Sequence, residues 1–146
     1  MRRIICIGHP FAESDSAGAR VFARLAAVEL PPDVEVVDGG LRGIDLLPLV
    51  ESSERVVFVD TISGFAAPSE VVALEADALD EVDSHRCDHA GGFSYLLRAL
   101  PHMVRPPVPV SLVGLEGPAG EEACDEALRL ALALIGRPAL VPPAGA

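Results

Sequence analysis

The sequence predicts an α/β fold, a three-layer sandwich around a twisted, mostly parallel mixed sheet of about five strands. Three observations predict it. Short apolar, β-branched runs alternate with stretches of helical spacing, in the order β-α-β-α-β. The first run, Arg3-Ile4-Ile5-Cys6-Ile7-Gly8, is apolar on both faces, as a buried parallel strand requires. At 146 residues the chain has the length of one compact domain and can bury a core without disulfide or metal staples. We therefore read 1–146 as a single domain, with a frayed Pro/Ala-rich tail over 138–146.

The elements follow in order. Residues 3–7 make the first strand, bounded by Gly8 and Pro10. A loop of small and acidic residues runs from His9 to Ser16. Val21, Phe22, Leu25 and Val28 then fall at helical spacing, and Pro31-Pro32 ends that helix. Val34 to Val37 form a second strand, stopped by the turn signal Asp38-Gly39-Gly40. Ile44, Leu46, Leu47 and Val50 suggest a helix that Pro48 limits to its first turn. Val56 to Val59 form the third and most apolar strand, ending in Asp60-Thr61. Val71 to Leu74 read as an antiparallel strand, because too few residues precede them for a helical crossover. Residues 75–90 are polar and acidic. Phe93, Leu96, Leu97 and Leu100 mark a helix that stops at Pro101, and Val108 to Leu115 form the last strand. Residues 120–135 close the chain as an amphipathic helix with Ala123, Ala127, Leu130 and Leu134 inward.

Composition excludes several functions. Arginine supplies all 11 basic residues; lysine, asparagine, glutamine and tryptophan are absent. Without lysine there is neither Schiff-base chemistry nor a P-loop. A net charge of −11 with no basic run argues against nucleic acid or an anionic membrane as partner. No apolar stretch is long enough to span a bilayer, since the last one is interrupted by Glu121, Glu122, Asp125, Glu126 and Arg129. Cys6, Cys87 and Cys124 form no CxxC pair and read as reduced thiols of a cytoplasmic protein.

In open α/β sheets, ligands bind beyond the carboxyl ends of the strands. That rule selects His9, Glu13 and Asp15 after strand one, Asp38-Gly39-Gly40 after strand two and Asp60 after strand three. The polar segment with His85, Cys87 and His89 runs into the next helix and is in reach of the same edge. Carboxylate oxygens and imidazole nitrogens suit a divalent transition metal. Each residue also has a plainer role. Asp15 is a candidate helix cap, Asp60 a turn acceptor, His89 a helix flank and His102 a surface residue.

As an ordered set these pieces resemble the hydrogenase maturation proteases, which trim the large subunit of nickel-iron hydrogenases. The resemblance starts with Ile4-Ile5-Cys6-Ile7-Gly8, then Asp15, Gly18 and Arg20. It continues through Val36-Val37-Asp38-Gly39-Gly40, Gly43-Ile44-Asp45-Leu46-Leu47 and Val57-Phe58-Val59-Asp60-Thr61-Ile62. It ends with His89 before Leu96-Leu97 and with Ser111-Leu112-Val113-Gly114-Leu115-Glu116. It implies a phosphorylase/hydrolase-like fold and an endopeptidase that removes the C-terminal extension of a nickel-loaded large subunit. It further implies Asp15, Asp60 and His89 as metal-contacting residues, and nickel, carried by the immature large subunit, as the metal. No organic cofactor is implied. A monomer that meets its client transiently is expected, with Asp15, Asp38 and Asp60 as candidate catalytic carboxylates. The first loop departs from the family's Gly-any-Gly-Asn, since those places hold Cys6, Gly8 and His9. Two other readings stand beside this one. The first is a non-catalytic metal-checking or chaperone-like accessory. The second is a small-molecule binder, weakened by the lack of GxGxxG after strand one.

Overall fold

The computed structural model describes residues 1–8, 16–62, 67–75 and 92–136. Its elements are β1 (Arg2–Ile7), α1 (Ala17–Ala26), β2 (Val34–Gly40), a 3-10 turn (Gly43–Leu46) leading into α2 (Leu47–Glu51), β3 (Arg55–Ile62), β4 (Val71–Glu75), α3 (Gly92–Met103), β5 (Val110–Glu116) and α4 (Glu121–Ile135). One five-stranded sheet runs in the order β2-β1-β3-β5-β4. The first four of these are parallel neighbours, and β4 is antiparallel to β5. The expected mixed, mostly parallel α/β architecture is what forms.

Strand pleating divides the core into two layers. On one face Ile5, Ile7, Phe58, Ile62 and Leu112 pack with Leu46, Val50, Leu96 and Leu100 of the α2 and α3 side. On the other, Ile4, Cys6, Val57, Val59, Val113 and Leu115 pack with Val21 and Leu25 of α1 and with Ala127, Ala131 and Leu134 of α4. The central strands are apolar on both faces because both faces are covered, which is why their runs show no alternation.

Arginine does structural work that lysine could not do as well, because its planar fork serves several acceptors at once. Arg55, only 6% exposed, donates from Nε to the Leu134 carbonyl (2.9 Å) and from Nη2 to Ser111 Oγ (3.1 Å). Arg2 Nη1 donates to the Ile135 carbonyl at 2.6 Å. Both guanidiniums thus meet the negative end of the α4 dipole. Arg20 and Arg24 bind α1 to α4 through Glu121 and Asp125.

Several boundaries differ from the sequence reading. Asp38-Gly39-Gly40 does not stop β2 but lies inside it, because pairing with β1 continues: Cys6 faces Asp38 and Ile7 faces Gly40. Gly39 is the extra residue of a bulge, and Gly40 takes φ 51°, which glycine adopts without strain. β3 likewise extends from Arg55 through Ile62, since β5 offers a partner for each added residue at its end. Pro48 lies at the start of α2, where a missing N–H has no helical acceptor to lose, so the helix continues beyond it. Pro101 lies inside α3, which runs on to Met103; in the last turn it removes a single bond, and Val104 N–H still reaches the Leu100 carbonyl at 3.1 Å.

Candidate active site at the carboxyl edge

The strand order places the site. The chain leaves β1 towards β2 on one side, then returns to β3 on the other side of β1. The reversal lies between β1 and β3, and a crevice at such a switch point is where open α/β sheets bind ligands. Pairing between these two strands ends at Cys6 and Val59. Asp60, Thr61 and Ile62 continue past it, paired with Gly114, Leu115 and Glu116 of β5.

Asp60 is fully buried. Its Oδ1 accepts the Thr61 backbone N–H at 2.8 Å, which fixes the carboxylate against its own strand end. Pleating puts Asp60 on the Phe58 and Ile62 face, covered by α2 and α3. A second buried carboxylate, Glu116 (4% exposed), ends β5 on this same face, opposite Ile62. Its place at an alternate position after Leu112 and Gly114 was a signal available in the sequence. Thr61 faces the other way, with Val57 and Val59 towards α1 and α4.

Asp38 reaches the same edge but not the same face. It is exposed, on the side shared by Val34, Val36 and Cys6. Its Oδ1 accepts the Gly40 N–H at 3.1 Å, while Arg42 Nη2 donates to the Asp38 carbonyl at 2.9 Å. Burial, with the Asp38 charge as the lesser cause, pushes the Cys6 thiol far above its usual range and keeps it neutral. The sheet therefore separates Asp38 from Asp60, which the sequence reading had placed after different strands at the same edge. Asp15 and His89, with His9, His85 and Cys87, lie outside the described residues. Among the described residues no three His, Cys, Asp or Glu side chains gather in a group that could hold a metal ion. His102 is exposed at the end of α3, as a surface residue should be.

The elements that follow Asp15 and His89 in the chain are well placed. α1 begins at Ala17 against the end of β1, two residues after Asp15. α3 begins at Gly92, three residues after His89, on the face that buries Asp60.

Residues 19–130 match the model of one protein family, the hydrogenase maturation proteases (HycI). The chain belongs to the hydrogenase maturation protease family. Members of that family are peptide hydrolases. The chain is also similar to the hydrogenase expression/formation protein HupD of Rhodobacter capsulatus, 29% identical over 75 residues. That match covers 51% of this chain and 36% of HupD, so it spans about a third of the relative's length. In fold, the protein is similar to the hydrogenase maturating endopeptidase HybD from E. coli, with TM-score 0.69 and 20% identity over 92% of this chain and 88% of that one. It is equally similar to the [NiFe] hydrogenase maturation protease HycI from Thermococcus kodakarensis KOD1, with TM-score 0.70 and 20% identity over 92% and 89% of the two chains. No helix among the described residues is long and apolar enough to cross a membrane.

Proposed function

We propose that the protein is an endopeptidase that removes the C-terminal extension of a nickel-loaded [NiFe]-hydrogenase large subunit during maturation, acting in the cytoplasm as a monomer. The family match over residues 19–130 carries this reading. Asp15, Asp60 and His89 are the residues that would hold the client's nickel: two carboxylates and an imidazole suit a divalent first-row ion. Asp60 fits the role, since a buried carboxylate at the switch-point edge is anchored through Oδ1 and sits beside the helix that follows His89. Held there, the ion would supply Lewis-acid polarisation of a carbonyl. The protein's own part is to hold that centre in a water-poor place and to present the scissile segment at the lip. Asp38, exposed there and held by Gly40 N–H, is the candidate general base.

The test is direct. Purified protein mixed with nickel-loaded precursor subunit should shorten it by one C-terminal peptide, read by intact-mass spectrometry. Asp15→Ala and His89→Ala should each stop this, and cleavage undiminished in both would remove the site assignment. The replaced first loop, Cys6-Ile7-Gly8-His9, favours a second reading as a non-catalytic metal-checking accessory. A stable complex with the precursor, without any mass change, would decide for it.

A further inference from the structure

Thr61 carries a hydroxyl that the described part of the fold does not use. Its Oγ1 is shielded from solvent and has no hydrogen-bond partner among the described residues. Buried hydroxyls are almost always paired, so one left unpaired at a candidate site calls for a partner that arrives later. Three features of its position add weight. Thr61 follows Asp60 in the chain, and its backbone N–H already holds the Asp60 carboxylate at 2.8 Å. It lies beyond the last β1–β3 pair, Cys6 with Val59, at the switch point between these two strands. Pleating turns it to the α1 and α4 face, on which α1 starts hard against the end of β1.

The residue as a whole is only half-buried, although its oxygen is shielded. Rotation about Cα–Cβ by one staggered step moves the hydroxyl towards a neighbouring position without moving the strand. A threonine in a strand has few such positions, so the group is nearly pre-oriented.

We propose that Thr61 is a further substrate-contacting residue, whose hydroxyl forms a hydrogen bond with the main chain of the client's C-terminal segment when that segment enters the crevice between β1 and β3. An extended peptide presents carbonyl acceptors and N–H donors in alternation, and a hydroxyl serves either. This inference rests on the endopeptidase reading above.

Thr61→Val keeps the shape and removes the hydroxyl, while Thr61→Ser keeps the hydroxyl. Since the hydroxyl has no partner among the described residues, Thr61→Val should leave the thermal midpoint unchanged or raised. Its affinity for the nickel-loaded precursor, measured by titration calorimetry, should fall about tenfold, as should kcat/KM for cleavage, and Thr61→Ser should recover most of both. Equal binding and cleavage by wild type and Thr61→Val would overturn the inference and leave the endopeptidase reading intact. A drop in midpoint that accounts for the lost affinity would also overturn it, since the hydroxyl would then be structural. A wild type that neither binds nor cleaves the precursor would remove both readings together. A wild type that binds without cleaving would remove the endopeptidase reading alone, and the calorimetric comparison would still decide on Thr61.

Discussion

Gly18, in the first turn of α1, packs so closely on β1 that an added Cβ would stand 1.9 Å from the Ile7 carbonyl oxygen and 2.8 Å from its carbon. Helix and strand thus meet backbone to backbone, which fixes the end of β1 against the start of α1. No rotamer change relieves such a clash. Gly18→Ala should cost about 2–4 kcal/mol, more than its helix propensity returns, because α1 must shift as a body. Urea denaturation checks this, and a change under about 0.5 kcal/mol would show that α1 moves freely.

Asp60→Asn tests the centre of the site. The amide is isosteric and its oxygen can still accept the Thr61 N–H bond, so the fold should hold to within about 1 kcal/mol. Cleavage should fall ~100-fold or more, because even outer partners of a metal site are worth ~10–100-fold. Precursor processing followed by mass, beside a thermal melt, separates the two effects. Retained cleavage would move the chemistry away from β3.

Ser111→Ala breaks a chain of bonds at the opposite end of the sheet. Ser111 Oγ accepts from Arg55 Nη2 at 3.1 Å and donates to Glu75 Oε2 at 2.8 Å. Removing it takes one bond from a buried guanidinium and unties the edge strand β4. The loss should be about 1–3 kcal/mol by chemical denaturation, with cleavage little changed at temperatures where the protein stays folded.

Glu121 links α1 to α4, and its carboxyl is held below the usual range first by the Arg20 hydrogen bond and then by the Arg24 charge. A depressed folded-state pKa means stability that is present above the unfolded-state value and is lost as pH falls through the folded one. Glu121→Gln should therefore lower the thermal midpoint slightly at neutral pH and low salt. The gap should close on acidification and narrow in high salt, since the carboxylate is fully exposed and easily screened. A gap independent of pH would assign the effect to packing.

Much of the fold was legible because its signals are local. Ile4 to Ile7 and Val56 to Val59 are apolar on both faces, and only a strand covered on both sides tolerates that. The antiparallel β4 followed from the shortness of the preceding connection, and Ala123, Ala127 and Leu134 of α4 are buried as their spacing required. The misreadings were also local. Asp38-Gly39-Gly40 has the composition of a turn, but β1 offers hydrogen bonds that hold it in the sheet as a bulge. Pro101 has the signature of a helix end, but in a final turn the loss is one bond.

The sequence by itself determined the family, the αβ order and which carboxylates end strands, because these depend on residue type and spacing. Tertiary structure alone decided how those carboxylates are sorted. Whether Asp60 is buried, whether Glu116 joins its face and whether Asp38 is turned away depend on register and pleat, and a shift of one residue would exchange every face. The same holds for the unpaired Thr61 hydroxyl. Spacing placed it next to Asp60, but only the register of the sheet set it beyond the last β1–β3 pair with no partner among the described residues.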